Sequence, residues 1–184
     1  MALPALSSAI DLFSAPAADR PFASADSAGR ETHEELKGYN AALADMIRAR
    51  KIKAIEQKQN INASFKTISE ENPELVGQAL VQLSETIAGF ETLIDNSKAT
   101  LVSQQAEADA LLAQAASVSV ANARLARRAV NKFFELGGEL HNETVEFYYF
   151  LLALRAEYDP DTRGGPSFDD PKTLGDYLRE QMKA

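Results

Sequence analysis

Between Pro73 and Tyr158 the chain has no proline, and apolar residues recur at alternating spacings of four and three. The series runs from Val76, Leu80, Leu83 and Ile87 through Leu101, Ala108 and Leu111 to Val118, Asn122, Leu125 and Ala129. This is a heptad-type seam sustained over about seven repeats, longer than a surface helix of an ordinary globular domain carries. The period predicts one very long helix, or a helix with one break. An apolar edge of that length must be covered.

A second helix is expected at Glu31–Ile68, with Glu31, Glu34 and Glu35 in its opening turns, where the helix dipole favours carboxylates. Its seam reads Leu36, Asn40, Leu43, Ile47, Arg50, Ala54, Gln57, Ile61, Phe65 and Ile68, and is weaker in the middle. Asn72 and Pro73 suit the N-cap and first position of the next helix. So short a link makes the two helices antiparallel neighbours. That register brings Ile61 near Leu80 and Leu83, Ala54 near Ile87, and Ile47 near Ile94. It also places Arg48, Arg50, Lys51 and Lys53 opposite Glu91 and Asp95.

The first helix, roughly 38 residues long, reaches about 57 Å, whereas Pro73–Leu136 would reach about 96 Å. The seam beyond Leu112 therefore needs another cover. Gly137-Gly138 offers a reversal point, after which Leu140, Thr144, Phe147, Leu151, Leu154 and Tyr158 would lie back over the bare half. Arg128 and Lys132 would then face Glu143 and Glu146. The alternative is a helix that continues through both glycines, at about 1 kcal/mol each relative to alanine. The cost favours reversal.

The expected fold is all-α: an elongated antiparallel helical hairpin or coiled-coil bundle with one very long central helix, a flexible N-terminal tail and a short C-terminal helix. Residues 1–30 form the Ala/Ser/Pro-rich tail, 31–158 the long-helix bundle, and 159–184 a loop and the final helix. Asp170-Pro171 opens that helix, and Leu174, Tyr177, Leu178 and Met182 form its apolar face. Within the tail, Leu3, Leu6, Ile10 and Phe13 share one helical face, the pattern of a peptide that docks in a partner's groove.

The net charge of −8 argues against general affinity for nucleic acid. With no cysteine there is no disulfide framework and no thiolate chemistry. The start of the chain lacks the basic residues and unbroken apolar run of a standard signal peptide, which favours a cytoplasmic over a secreted location. Phe147–Leu154 is far too short to cross a bilayer.

The richest polar constellation is Glu139, His141, Asn142, Glu143 and Glu146. Helical carboxylate-metal sites use Glu-x-x-His on one face, whereas Glu139 and His141 are two apart and point to different sides. A solvated helix start is the expectation there, as it is for His33. No phosphate loop, Ser/His/Asp set or zinc spacing occurs, and no cofactor, metal or catalysis is expected. Asn142-Glu-Thr144 matches the glycosylation pattern, a frequent chance match.

Phe147, Tyr148, Tyr149 and Phe150 are consecutive and followed by Leu151 and Leu152, so they point around the whole helix circumference. With Phe133 and Phe134 they form either the thick end of an intramolecular bundle or a protein interface. The function these features suggest is a non-enzymatic helical assembly protein: a structural subunit, scaffold or adaptor working with a protein partner or with copies of itself. The alternative is a surface-active, membrane-engaging protein that inserts through Leu3–Phe13 or Phe147–Leu154.

Overall fold

The computed structural model describes residues 3–14 and 30–159. The α-helices, in order, are α1 (Pro4–Ser14), α2 (Arg30–Glu71), α3 (Val76–Val118) and α4 (Val120–Tyr158), with a 3-10 turn at Pro73–Leu75. No strand occurs among the described residues. The helices pack as an antiparallel bundle, as the seam requires. The expected C-terminal helix lies outside the described residues.

The α2 seam is buried as its spacing demands. Leu36, Asn40, Leu43, Ile47, Arg50, Ala54, Ile61, Phe65 and Ile68 are all inside, and Gln57 is half-buried. Pro73 opens the link to α3 as expected, and the Leu75 N–H donates to the Asn72 carbonyl at 2.9 Å. The Asn72 side chain makes no cap bond.

The reversal at Gly137-Gly138 does not occur. The chain turns back at Ser119 instead, and α4 runs straight through both glycines. Ser119 takes an extended backbone, φ −163° and ψ 151°, and its side chain accepts from the Asn122 N–H at 3.1 Å. This hydroxyl caps α4, while the Ser119 N–H still bonds the Ala115 carbonyl at the end of α3. The β-branched neighbours Val118 and Val120 weaken helix propensity at the same place.

Turning earlier gives α4 a full-length path across α2 and α3. Ala129, Val130, Phe133 and Leu136 thereby become buried. Fully burying one large apolar side chain is worth about 1.5–3 kcal/mol, so the gain exceeds the two glycine penalties. Gly137 also has a packing role, because a Cβ there would lie 2.7 Å from Leu101 Cδ2. Its bare backbone lets α3 approach α4 closely.

α4 packs along both α3 and α2, while α2 and α3 touch each other little. At the end near the Pro73 turn, α1 fills the gap between them. A core there joins Leu6, Ala9 and Phe13 of α1 to Ile61 and Phe65 of α2, Leu83, Ile87 and Phe90 of α3, and Phe147 and Leu151 of α4. A second core unites Leu36, Leu43 and Ile47 with Ala108, Leu111, Val130, Phe133 and Leu136. Ala115 and Ala126 hold the last turn of the α3–α4 hairpin together.

Ala54, Ile61, Leu83 and Ile87 enter one core, but α2 and α3 touch little there, so they meet through α1 and α4 rather than across the direct two-helix seam expected. Ile47 belongs instead to the second core, with Ala108. The acidic face opposite the basic run of α2 lies on α4 rather than α3. Lys51 Nζ is 2.6 Å from Glu139 Oε1 and 3.4 Å from Glu143 Oε1. Arg128 and Lys132 do not face Glu143 and Glu146, since all four lie on one helix, and Lys132 pairs with Glu135 at 2.8 Å.

Candidate functional site

The segment read as a tail contains the most distinctive contact of the fold. Leu3, Leu6 and Phe13 are buried and Ile10 is half-buried, so the four anchors do dock, in a groove of their own chain. The Leu3 N–H donates to Gln82 Oε1 at 2.8 Å, which fixes the start of α1 against α3. Ile10 seats over Gly89, where a Cβ would lie 2.8 Å from Ile10 Cδ1.

Phe13 ends the helix as a ring in an aromatic nest. Its centroid lies 5.2 Å from Phe90 and 5.0 Å from Phe147. Arg50 lays its guanidinium carbon 5.4 Å from the centre of the Phe13 ring, an arrangement that holds a cation against an apolar surface. Burial pulls the Arg50 pKa down, and the nearby Glu143 carboxylate pushes it back up.

Beyond Phe13 the gap between α2 and α3 stays open. A cavity of about 340 Å³ lies there, with Tyr39 and Leu43 on one wall, Ser97, Leu101 and Gln104 on the other, and Phe133 and His141 on the α4 side. Ser14, the last described residue before Arg30, stands at its edge. The cavity coincides with the polar members of the α3 seam, Ser97 and Gln104. Side chains of that kind do not fill a core.

Glu139 and His141 point to different neighbours, as their spacing requires. Glu139 pairs with Lys51 on α2, which holds its carboxyl below the usual range through the hydrogen bond. His141 Nδ1 lies 2.7 Å from Ser97 Oγ on α3. Burial, and secondarily Lys98, lowers the His141 pKa. This is no solvated helix start: the residues are mid-helix, and His141 is half-buried. At the start of α2, His33 Nδ1 is likewise buried and lacks a hydrogen-bond partner. Among the described residues no group of three or more His, Asp or Glu is placed to hold a metal.

The aromatic run divides by face. Phe147 and Leu151 are fully buried, Phe133 is buried, and Phe134, Tyr148, Tyr149, Phe150 and Leu152 are half-buried. Tyr148 donates to Glu91 at 2.9 Å, and Lys58 Nζ lies 5.7 Å from the ring centres of both Phe147 and Phe150. Phe147, Tyr148, Phe150, Leu151 and Leu152 belong to the core near the Pro73 turn, whereas Phe133 and Phe134 belong to the second core. No described helix is long and apolar enough to cross a membrane.

Bare aliphatic side chains lie elsewhere, in positions the seam does not mark. Ile52 and Ile55 on α2, Val81 and Val102 on α3, and Val118 and Val120 around the Ser119 turn are each more than half exposed. Apart from Val118 they fall between heptad positions, so a search for the buried edge passes over them. No protein-family model, curated protein or solved structure matches this chain.

Proposed function

We propose that this chain is a non-enzymatic helical assembly protein, a structural subunit, scaffold or adaptor that works through protein contacts. The observation that carries the reading is its exterior. Val118 and Val120 are 61% and 68% exposed at the α3–α4 turn, and Val81 is 59% exposed on α3. Scattered exposed valines are ordinary, but a pair flanking the Ser119 turn is placed to meet another molecule.

The internal packing supports the same reading. The long helices fix the two ends of the bundle relative to each other, which suits a spacer or subunit. The segments that membrane insertion would use, Leu3–Phe13 and Phe147–Leu154, supply core residues, so inserting them would require opening the bundle. Light scattering of the purified chain across concentration tests the proposal, together with affinity capture from its source. Formation of an oligomer or a stoichiometric complex is expected. A monomer at every concentration that captures no protein overturns the reading.

A further inference from the structure

The last turns of α4 are apolar on two sides, and the described helices cover one of them. Phe147, Leu151 and Leu154 face the core. By the helical period Val145, Leu152 and Ala156 share the opposite strip, with Ala153 at its edge. All four are partly exposed. Leu152 reaches the core near the Pro73 turn along one edge, whereas Val145, Ala153 and Ala156 enter no core cluster among the described residues. Tyr149 stands on the same strip, its ring centre 5.5 Å from that of Tyr148.

Residues 147–154 include no charged side chain. A helix that is apolar all round is buried on all sides, whereas a surface helix keeps charges on its outer face. α2 and α3 pack on α4, and α1 lies in the gap between α2 and α3. The outer strip of α4 lies opposite the residues that α2 and α3 meet, so no described helix covers it.

The next part of the chain starts beside this strip. The described chain ends at Asp159, where the backbone turns extended, φ −91° and ψ 110°, ahead of Pro160. Residues 160–170 include Pro160, Gly164, Gly165 and Pro166, which stop a helix and favour a turn. Fully extended, that link bridges up to about 36 Å, ample for a reversal. Asp170-Pro171 then suits a helix start, and Leu174, Tyr177, Leu178 and Met182 share one side of the helix it opens. So short a helix is marginal in water until its apolar side is covered.

We propose that residues 171–184 fold back along the outer side of α4 as an antiparallel helix, setting Leu174, Tyr177, Leu178 and Met182 against Val145, Leu152 and Ala156. The returning helix is about 21 Å long and the strip from 145 to 156 about 17 Å, so the two match in length. α1 already follows this pattern, with Leu3, Leu6, Ile10 and Phe13 laid from one side onto the bundle. A segment held by a short link is present at an effective concentration of about millimolar, which favours it for this strip over a second copy or a separate protein.

The chain has no cysteine, so a nitroxide on Lys183→Cys, on the polar side of the segment, is a unique label on the full protein. Amide signals of residues 145–156 should lose most of their intensity through paramagnetic relaxation, while those of residues 111–118 near the Ser119 turn keep theirs. The loss should survive dilution. It should be absent from isotope-enriched, unlabelled chain mixed with labelled chain that carries no isotope. Leu178→Asp/Met182→Asp in the labelled protein should abolish it while circular dichroism shows the bundle intact. No loss in the labelled protein, or a loss centred on α2 or α3, overturns the proposal. A loss that appears in the mixture gives the strip to a second copy and overturns it as well. None of these outcomes decides the assembly reading, which light scattering and affinity capture test separately.

Discussion

The Phe90 and Phe147 rings stack 5.2 Å apart with planes within 11° of each other, and Phe13 closes against both. α3 and α4 meet through this pair, and α1 is held by its third ring. Removing different members should therefore have different consequences. Phe147→Ala should cost about 3–5 kcal/mol of global stability, the usual cost of emptying a core aromatic site. Phe13→Ala should instead release α1, raising amide exchange in residues 4–14 while α2, α3 and α4 keep their protection. If exchange rises equally in all four helices, α1 is an integral part of the cooperative unit rather than a docked element.

The glycines of α4 separate two causes of the same residue choice. A methyl group added at Gly138 would meet no neighbour within 4 Å, so Gly138→Ala should stabilise by about 0.5–1 kcal/mol through helix propensity alone. Gly137→Ala would push on Leu101, whose Cδ2 lies 2.7 Å away, and should be less stable than Gly138→Ala. Urea midpoints of the two variants check this. A chain that reversed at these glycines would be destabilised by both substitutions.

Ser119 caps α4 through its hydroxyl, with the Asn122 N–H donating at 3.1 Å. Ser119→Ala should cost about 1 kcal/mol, whereas Ser119→Asp should retain most of the stability because a carboxylate also accepts from the exposed N–H groups. Thermal melts of the two variants provide the comparison. Equal loss in both would mean that the turn is held by its packing and not by the cap.

His141 is half-buried against Ser97, with its pKa lowered by burial and by Lys98. A histidine whose folded pKa lies below its unfolded value binds protons more readily when unfolded. Its contribution is therefore fully present above the unfolded value of about 6.5 and is lost as pH falls through the folded pKa. Chemical denaturation at pH 8 and pH 5 should show an acid-side loss that narrows in His141→Asn. An unchanged pH dependence in the variant would assign the acid sensitivity to other groups.

The burial of α2 and the far end of α4 was legible residue by residue, because a four-three spacing fixes which side chains share an edge whatever covers it. The four anchors of α1 were legible in the same way, and so were the diverging directions of Glu139 and His141. The turn at Ser119 was not. Its local signal is a serine between valines, which is weaker than paired glycines, and the deciding quantity is the apolar area that α4 covers after the turn. For the same reason Gly137 and Gly138 looked like a terminator although one of them serves close packing with Leu101.

Periodicity and charge thus determined that this chain is helical, which faces are buried, and where an antiparallel link follows Glu71. Only the tertiary structure decided that the second reversal falls at Ser119, that α1 docks on its own bundle, and that Lys51 pairs with α4 rather than α3. Spacing along a helix is a local property, set by the helical period. The choice of neighbour is set by burial summed over distant segments, which no short stretch of sequence contains.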